Sequence, residues 1–212
     1  MRHMSVVRTM RDIIRRGEIG AVKAIWCRHF VGEGGDYYFK DWHADRRYSN
    51  GLLLQKAAHD IDVMNWLADS HATRVVGMGG LTVYGDITDR QDRSDKLMWE
   101  WYNVDNWPPL TQKGLNPVVD VEDLSMFSAK MASGAYVSYQ QCHYTPDYWR
   151  NYTVIGTEGR IENFGDDAGQ QQRPGADDAG PGRRRDEAPP HRRLLKATGR
   201  SARAATSSTI RS

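Results

Sequence analysis

Three side chains in the stretch Leu52 to Asp69 have the types and spacing for acid–base chemistry. Gln55, Lys56 and His59 lie within one turn of LLLQKAAHDIDVMNWLAD, a run with a clear helical period. Residues three and four apart share one side of a helix. A cation beside an imidazole lowers the pKa of the histidine and keeps it neutral near pH 7, as a general base requires. The spacing therefore makes His59 a candidate base, Lys56 the residue that tunes it, and Gln55 a hydrogen-bonding neighbour.

The same stretch has a second interpretation, in which it does no chemistry. Apolar residues almost surround a polar stripe of Gln55, His59, Asp62 and Trp66, and a helix of this kind is normally buried. A buried His59 could be a core histidine hydrogen-bonded across the domain, with the Lys56 ammonium reaching water. Spacing alone does not separate the two interpretations.

Two loops rich in aromatic and ionisable residues are candidates for ligand binding. The first, residues 32–50, leads directly into the predicted helix, and the second, residues 143–150, follows a predicted strand. Such loops are common binding surfaces, although the first could also be an ordinary packed loop. Together with one residue of the helix they supply these candidate substrate-binding residues: Trp42, His43, Arg46, Asp62, His143, Tyr144, Tyr148 and Arg150.

The elements that must position these residues have the pattern of an α+β domain spanning residues 1–164. Besides the central helix, one amphipathic helix is predicted at Ser5–Arg16, with Ser5 as its N-cap. Strands are predicted at Val22–Val31, Thr73–Tyr84, Val121–Met131, Ala135–Cys142, Tyr152–Ile155 and Arg160–Phe164. The order predicts a mostly antiparallel open-faced sheet with helices on one face. Both strand faces are apolar, so the uncovered face predicts a homo-oligomer.

Residues 85–120 and 165–212 depart from this pattern. The first segment is a long, irregular insertion, and insertions of this length are usually lids, binding loops or oligomer contacts. The second has no hydrophobic period, is rich in Gly, Pro and Arg, and resembles an out-of-frame reading of coding DNA. This composition predicts a disordered tail.

Composition narrows the class of protein. The formal charge of +2 arises in the tail, so residues 1–164 have no basic surplus and nucleic acid is not an expected partner. No segment reaches transmembrane length, so a membrane is not expected either. Cys27 and Cys142 are expected to be free thiols of a cytoplasmic protein. No metal site is predicted.

The chain contains no dinucleotide-binding fingerprint. The glycines at positions 32, 34 and 35 and those at 77, 79 and 80 lack the third glycine of G-x-G-x-x-G, and no helix start follows them. We therefore expect that this chain alone binds neither NAD nor NADP.

Four landmarks in order give the chain from His3 to Phe164 a family resemblance. They are RDIIRRGEIGAVKAI, SNGLLLQKAAHDIDVMNWLAD, VEDLSMFSAKMASGA and TVIGTEGRIE. Together they resemble the C-terminal domain of the glucose–fructose oxidoreductase/inositol dehydrogenase (Gfo/Idh/MocA) family. The N-terminal dinucleotide-binding domain of that family, with its glycine fingerprint and Glu-Lys-Pro motif, has no counterpart in this sequence.

The resemblance implies roles for the central helix. His59 matches the catalytic histidine of the family, which takes the hydroxyl proton as hydride leaves for nicotinamide. Gln55 departs from the acidic partner that many members carry, and Lys56 resembles the lysine of one subgroup. The resemblance thus implies part of an NAD(P)-dependent oxidoreductase acting on a sugar, cyclitol or related polyol.

Other functions remain open on the sequence. One is an NAD-dependent glycoside hydrolase of the same superfamily, whose central helix also pairs lysine with histidine. Another is a non-catalytic sugar-binding or dimerisation module. A metal phosphohydrolase, which the pair His59-Asp60 suggests, would need further histidines on neighbouring helices.

Overall fold

A computed structural model describes residues 1–32, 37–103 and 107–163, together with the backbone of residues 195–199. The helices are α1 (Ser5–Arg15), the single turn α2 (Arg46–Ser49) and α3 (Leu52–Ala68). The strands are β1 (Val22–Phe30), β2 (Ala72–Gly80), β3 (Leu124–Met131), β4 (Tyr136–Cys142), β5 (Trp149–Gly156), β6 (Gly159–Asn163) and β7 (Leu195–Gly199).

The strands form one sheet in the order β2-β3-β4-β1-β5-β6-β7. Every neighbouring pair is antiparallel except β1 and β4, which run parallel. The predicted α+β class with a mostly antiparallel sheet is confirmed. The predicted disordered tail falls outside the described residues except for β7, whose backbone pairs with β6.

Helices α1 and α3 pack on one face of the sheet and form the main core with it. From α1, Val6, Val7, Met10 and Ile13 are buried at helical spacing. They meet the inward side chains of the strands, such as Ile25. None of the described helices covers the other sheet face, and Trp26 and Tyr136 are both more than half exposed there.

Several predicted element boundaries were wrong, among them the starts of β3, at Leu124 rather than Val121, and of β5, at Trp149 rather than Tyr152. Thr73–Tyr84 was predicted as one strand, but β2 ends at Gly80 because the Asp123 carboxylate accepts the backbone N–H groups of residues 82–84 and turns the chain. Helix α1 begins after Met4 rather than Ser5, and no side chain caps it. Arg150 lies within β5 rather than in a loop, because its side chain is paired inside the core.

A second core anchors the insertion at residues 85–120. It contains Phe39, Leu52, Tyr84, Leu115 and Val121, all fully buried or nearly so. Two segments meet at the base of the insertion, where the backbone N–H of Gln91 donates to the carbonyl of Leu115. In its described part the insertion contains short 3-10 turns and an isolated bridge.

Two further sequence expectations can be compared with the structure. Cys27 is buried, Cys142 is partly buried, and both are free thiols. Within the described ranges, no helix is both long and apolar enough to cross a membrane.

Candidate active site

Asp60 is the centre of a polar cluster buried between α3 and the sheet. Its Oδ2 lies 3.1 Å from the Tyr139 hydroxyl and 3.2 Å from Nδ1 of His29. Its Oδ1 accepts a hydrogen bond from the Tyr152 hydroxyl and lies 3.4 Å from Nε of Arg150. Asp60 and His29 are completely buried, and Arg150 is 4% exposed. A buried carboxylate is tolerated only when it is paired and hydrogen-bonded in this way.

Helix and strand periodicity bring these groups together. Lys56, Asp60, Val63 and Leu67 recur at i, i+4, i+7 and i+11 on the face of α3 that meets the sheet. On the sheet, His29 lies opposite Arg150, while Cys27 lies opposite both Tyr139 and Tyr152. Strand alternation then points His29, Arg150 and the two tyrosines to the helix side.

The ionisation of the cluster follows from burial and pairing. Burial lowers the pKa of His29 to about 4, against the hydrogen bond to Asp60, and Arg150 lowers it further. Burial alone would raise the pKa of Asp60, but the hydrogen bond from His29 and the charge of Arg150 bring it to about 2. At neutral pH the cluster therefore holds a neutral imidazole, a carboxylate and a guanidinium. Nε2 of His29 accepts from Arg150 at 2.8 Å.

The cluster continues along β4 to a histidine with an unpaired nitrogen. The Tyr139 hydroxyl lies 2.8 Å from the Gln141 amide oxygen, and the Gln141 amide nitrogen donates to Nε2 of His143 at 2.7 Å. Nδ1 of His143 is buried and, among the described residues, has no hydrogen-bond partner. Burial holds the pKa of His143 well below its usual range, and the positive charges of His29, when protonated, and of Lys56 lower it further.

Lys56 lies between the buried cluster and the exposed side of α3. Its Nζ lies 5.4 Å from the centre of the Tyr38 ring, and that ring packs edge-on against His143 at 5.1 Å. Burial lowers the pKa of Lys56 to about 8, the charge of Arg150 lowers it too, and Asp60 opposes the shift. At pH 8 the amine is therefore neutral in about half of the molecules.

His59 lies on the surface of α3, one turn from Lys56. It is exposed, and Gln55 is half-buried beside it. The interpretation of His59 as a core histidine is therefore wrong. The prediction that the polar stripe of Gln55, His59, Asp62 and Trp66 is buried was wrong as well. The carboxylate that the helix buries is that of Asp60, which lies on a different face. The third polar member, Asp62, is about half exposed and forms an ion pair with Arg2 at 2.6 Å.

The candidate residues of the first loop are only partly gathered at this centre. His43 is buried, its ring lies 5.2 Å from that of Tyr38, and its Nδ1 is 2.6 Å from Asp41. Trp42 is half exposed and stacks on His43 at 3.8 Å. Arg46 is directed elsewhere and pairs with Glu122 at 2.9 Å.

The second loop contributes more directly. The Tyr148 ring lies edge-on to His29 at 5.7 Å, and the Arg150 guanidinium lies 5.9 Å from the centre of that tyrosine ring. The Tyr144 hydroxyl instead lies 3.3 Å from Thr82, away from the cluster. The structure thus brings together Lys56, His43, His143, Tyr148 and Arg150.

Sequence reasoning missed His29, Asp60, Tyr139, Gln141 and Tyr152. A signal for some of them was available, since Tyr139 and Gln141 alternate along β4 and so share a face, and His143 follows the strand directly at the same spacing. Two polar residues with a histidine on an inward face predict a buried network.

In the described residues, no helix N-terminus is arranged as a dinucleotide site. Pyrophosphate groups are commonly bound by free backbone N–H groups at a helix N-terminus, but at α3 the N–H of Leu53 donates to the Glu122 carboxylate at 2.6 Å. No glycine loop opens α1, whose N-cap is Met4. No group of three or more His, Cys, Asp or Glu side chains in the described ranges is arranged to hold a metal.

Comparison with known proteins decides the family. A family model described as the GFO/IDH/MocA C-terminal domain matches residues 7–162, which include α3 and the whole buried cluster. This chain belongs to the Gfo/Idh/MocA family. YteT of Bacillus subtilis (strain 168), whose name is that of an oxidoreductase, is 23% identical over 191 residues, covering 74% of this chain and 45% of YteT.

Solved Gfo/Idh/MocA-like structures share the fold. Levoglucosan dehydrogenase without ligand superposes with a TM-score of 0.58 at 20% identity, covering 76% of this chain and 39% of the dehydrogenase. An oxidoreductase domain protein from Kribbella flavida gives a TM-score of 0.56 at 14% identity, covering 76% of this chain and 37% of that protein. The chain therefore spans less than half the length of these relatives.

Proposed function

We propose that this chain is the substrate-binding part of an NAD(P)-dependent oxidoreductase that acts on a sugar, cyclitol or related polyol, with His59 as the proton acceptor. One observation carries the proposal. At the edge of the buried polar cluster, helix α3 carries the exposed imidazole of His59. One turn away lies Lys56, whose amine has a lowered pKa. A general base must be reachable by its substrate, and the exposure of His59 meets that requirement.

Lys56 and Gln55 complete the proposed proton-accepting group. Lys56 lies between His59 and the buried cluster, so a substrate at the rim of α3 could contact both side chains. A neutral or positively charged amine can donate a hydrogen bond to the hydroxyl oxygen that loses its proton. The Gln55 amide can orient the imidazole or the substrate by hydrogen bonding.

The exposed and half-buried polar groups of α3 support a polyhydroxylated substrate. His59 is exposed and Lys56 is half-buried. Each hydroxyl of a sugar can donate and accept one hydrogen bond, so such a ligand could bond the His59 imidazole and the Lys56 amine together. The partly exposed ring of Tyr148 could pack on the apolar face of a sugar ring. One levoglucosan dehydrogenase structure of this fold contains NADH with levoglucosan, and another contains NADH with L-sorbose.

The nicotinamide cofactor must then be held by residues outside this chain. The N-terminus of α3 is already occupied by Glu122, so the described residues offer no pyrophosphate site there. We propose that a separate dinucleotide-binding domain supplies the cofactor, and that this chain alone binds substrate without turning it over.

Two other functions share the same site. The pair Lys56 and His59 also suits an NAD-dependent glycoside hydrolase, and only the dehydrogenase would accumulate NADH. The other is a non-catalytic sugar-binding or dimerisation module, which would use the same residues of α3. Such a module would bind sugar but would stay inactive after a dinucleotide-binding domain is attached.

We also propose that the open sheet face associates with another copy of the chain. Trp26 and Tyr136 are 52% and 60% exposed on that face, and large exposed apolar patches mark interaction surfaces. Light scattering should show a homo-oligomer that Tyr136→Lys weakens. A monodisperse monomer at high micromolar concentration contradicts this association.

Titration calorimetry on the chain as it exists tests substrate binding. We expect heat from a polyol such as levoglucosan or L-sorbose, and none from NADH or NADPH. Lys56→Met should weaken polyol binding at least tenfold because it removes a donor at the rim. Lys130→Met, at an exposed position of β3, is the matched control and should bind as the parent does. Micromolar binding of NADH, or equal polyol affinity in both variants, contradicts the proposal.

A further inference from the structure

Strand β2 lies at one edge of the sheet, and both of its faces are exposed. Val75 is 58% exposed on the helix side, while Val76 and Met78 are 68% and 70% exposed on the open side. Only β3 pairs with β2 in the described structure, so its outer row of backbone N–H and C=O groups lies open. Proteins usually protect such edges with lysine or proline, and β2 contains neither.

A groove follows this edge on the helix side. It has a volume of about 540 Å³, and its wall is formed by Leu53 and Leu54 of α3. Its floor includes Gly77 and Gly79, which lie opposite Phe127 and Ser125 of β3 and therefore face the helices. Because these two positions have no side chain, β2 presents bare backbone beneath the exposed Leu54.

We propose that β2 pairs antiparallel with β2 of a second copy, with the two-fold axis at Val76, to form a sheet that continues across the two chains. An antiparallel pair about a two-fold axis is self-complementary by construction. In this register Val75 of each copy lies opposite Gly77 of the other, and Thr73 lies opposite Gly79. The side chains of one strand thus enter the groove left by the glycines of its partner.

Charge and backbone geometry both permit this pairing. Arg74 is the one charged residue of β2, and in this register it lies opposite Met78 of the other copy. The two arginines are then separated by four residues, about 14 Å along the strand, which limits their repulsion. The one register irregularity of β2, between Ala72 and Arg74, leaves Val75–Gly80 regular.

The experiment is disulfide cross-linking of the full chain with Cys142→Ser as background. Residues directly opposite in an antiparallel pair have Cα atoms about 4.5–5.5 Å apart, which is within disulfide range. Val76→Cys should therefore give a disulfide-linked dimer under mild oxidation at micromolar concentration. Adding Val75→Lys, which puts a charge into the partner's groove, should reduce the cross-linked fraction at least tenfold.

The matched control is Tyr136→Lys, an exposed position on the open face away from this edge. It should leave the Val76→Cys cross-link in place, and thermal unfolding should show that both lysine variants fold. The proposal is overturned if Val76→Cys does not cross-link, or if Val75→Lys leaves the cross-link intact. It is also overturned if Tyr136→Lys abolishes the cross-link as strongly as Val75→Lys does.

Discussion

Nδ1 of His29 lies 3.2 Å from Oδ2 of Asp60, with both side chains fully removed from solvent, and this contact joins β1 to α3. Since α3 also carries Lys56 and His59, the buried contact helps to set where the proposed base and its neighbour lie. The polar cluster is thus both part of the fold and the support of the proposed active site.

Asp60→Asn should be strongly destabilising. The change leaves Arg150 with its charge buried and less well paired, which typically costs about 3–5 kcal/mol. The matched control is Asp62→Asn on the same helix, which breaks a half-exposed ion pair with Arg2. Such pairs contribute about 0–1 kcal/mol. Urea unfolding of both variants measures the difference, and similar small losses would show that the cluster does not stabilise the fold.

Stability should fall in acid in two steps. The pKa of His29 is about 4 in the fold, below its ordinary 6.5, so the unfolded chain binds the proton first and stability falls from pH 6.5 towards 4. The loss is on the order of 3 kcal/mol. The pKa of Asp60 is about 2, below its ordinary 3.8, so a further loss follows between pH 3.8 and 2. Urea unfolding at a series of pH values measures both steps.

His29→Gln serves as the control for this pH dependence. It should remove the step between pH 6.5 and 4, because glutamine does not titrate there. A parent protein whose free energy of unfolding is constant over that range would contradict the assignment.

Lys56 should titrate near pH 8. The pH dependence of its acetylation rate, read by mass spectrometry, should have its midpoint there. Arg150→Met removes a cation that lowers this pKa, so the midpoint should move upward. Arg150→Lys keeps a positive charge and should keep the midpoint low. A parent midpoint near 10.4, the ordinary value for lysine, would be incompatible with the burial of Lys56.

The sequence predicted the fold class because its strong signals are local. Helix α1 has a clear apolar face, and the strands alternate or end at turn residues. The phase of α3 was harder to predict, because Leu54 and Ala58 are apolar yet exposed while Asp60 is buried. Adjacent helix residues differ by about 100°, so a phase error of one residue exchanges His59 for Asp60 as the buried residue.

The partners of Asp60 could not be predicted from the sequence. His29 and Arg150 are 121 residues apart and meet only because β1 and β5 are neighbours in that register. The parallel pairing of β1 with β4 joins strands far apart in the chain, and no local pattern specifies it. Arg150 ends a segment of aromatic and ionisable residues, which predicts a loop. Only its pairing with Asp60 shows that its side chain is buried.

The role of His59 as proton acceptor is tested by kcat of an enzyme made by joining a dinucleotide-binding domain of a relative ahead of Met1. His59→Ala should lower kcat by roughly 10²–10⁴-fold, the range expected for loss of a general base. Its melting temperature should change little because His59 is exposed. His71→Ala, at an exposed position outside α3, is the control and should keep full activity. Full kcat in a well-folded His59→Ala enzyme would show that His59 is not the proton acceptor.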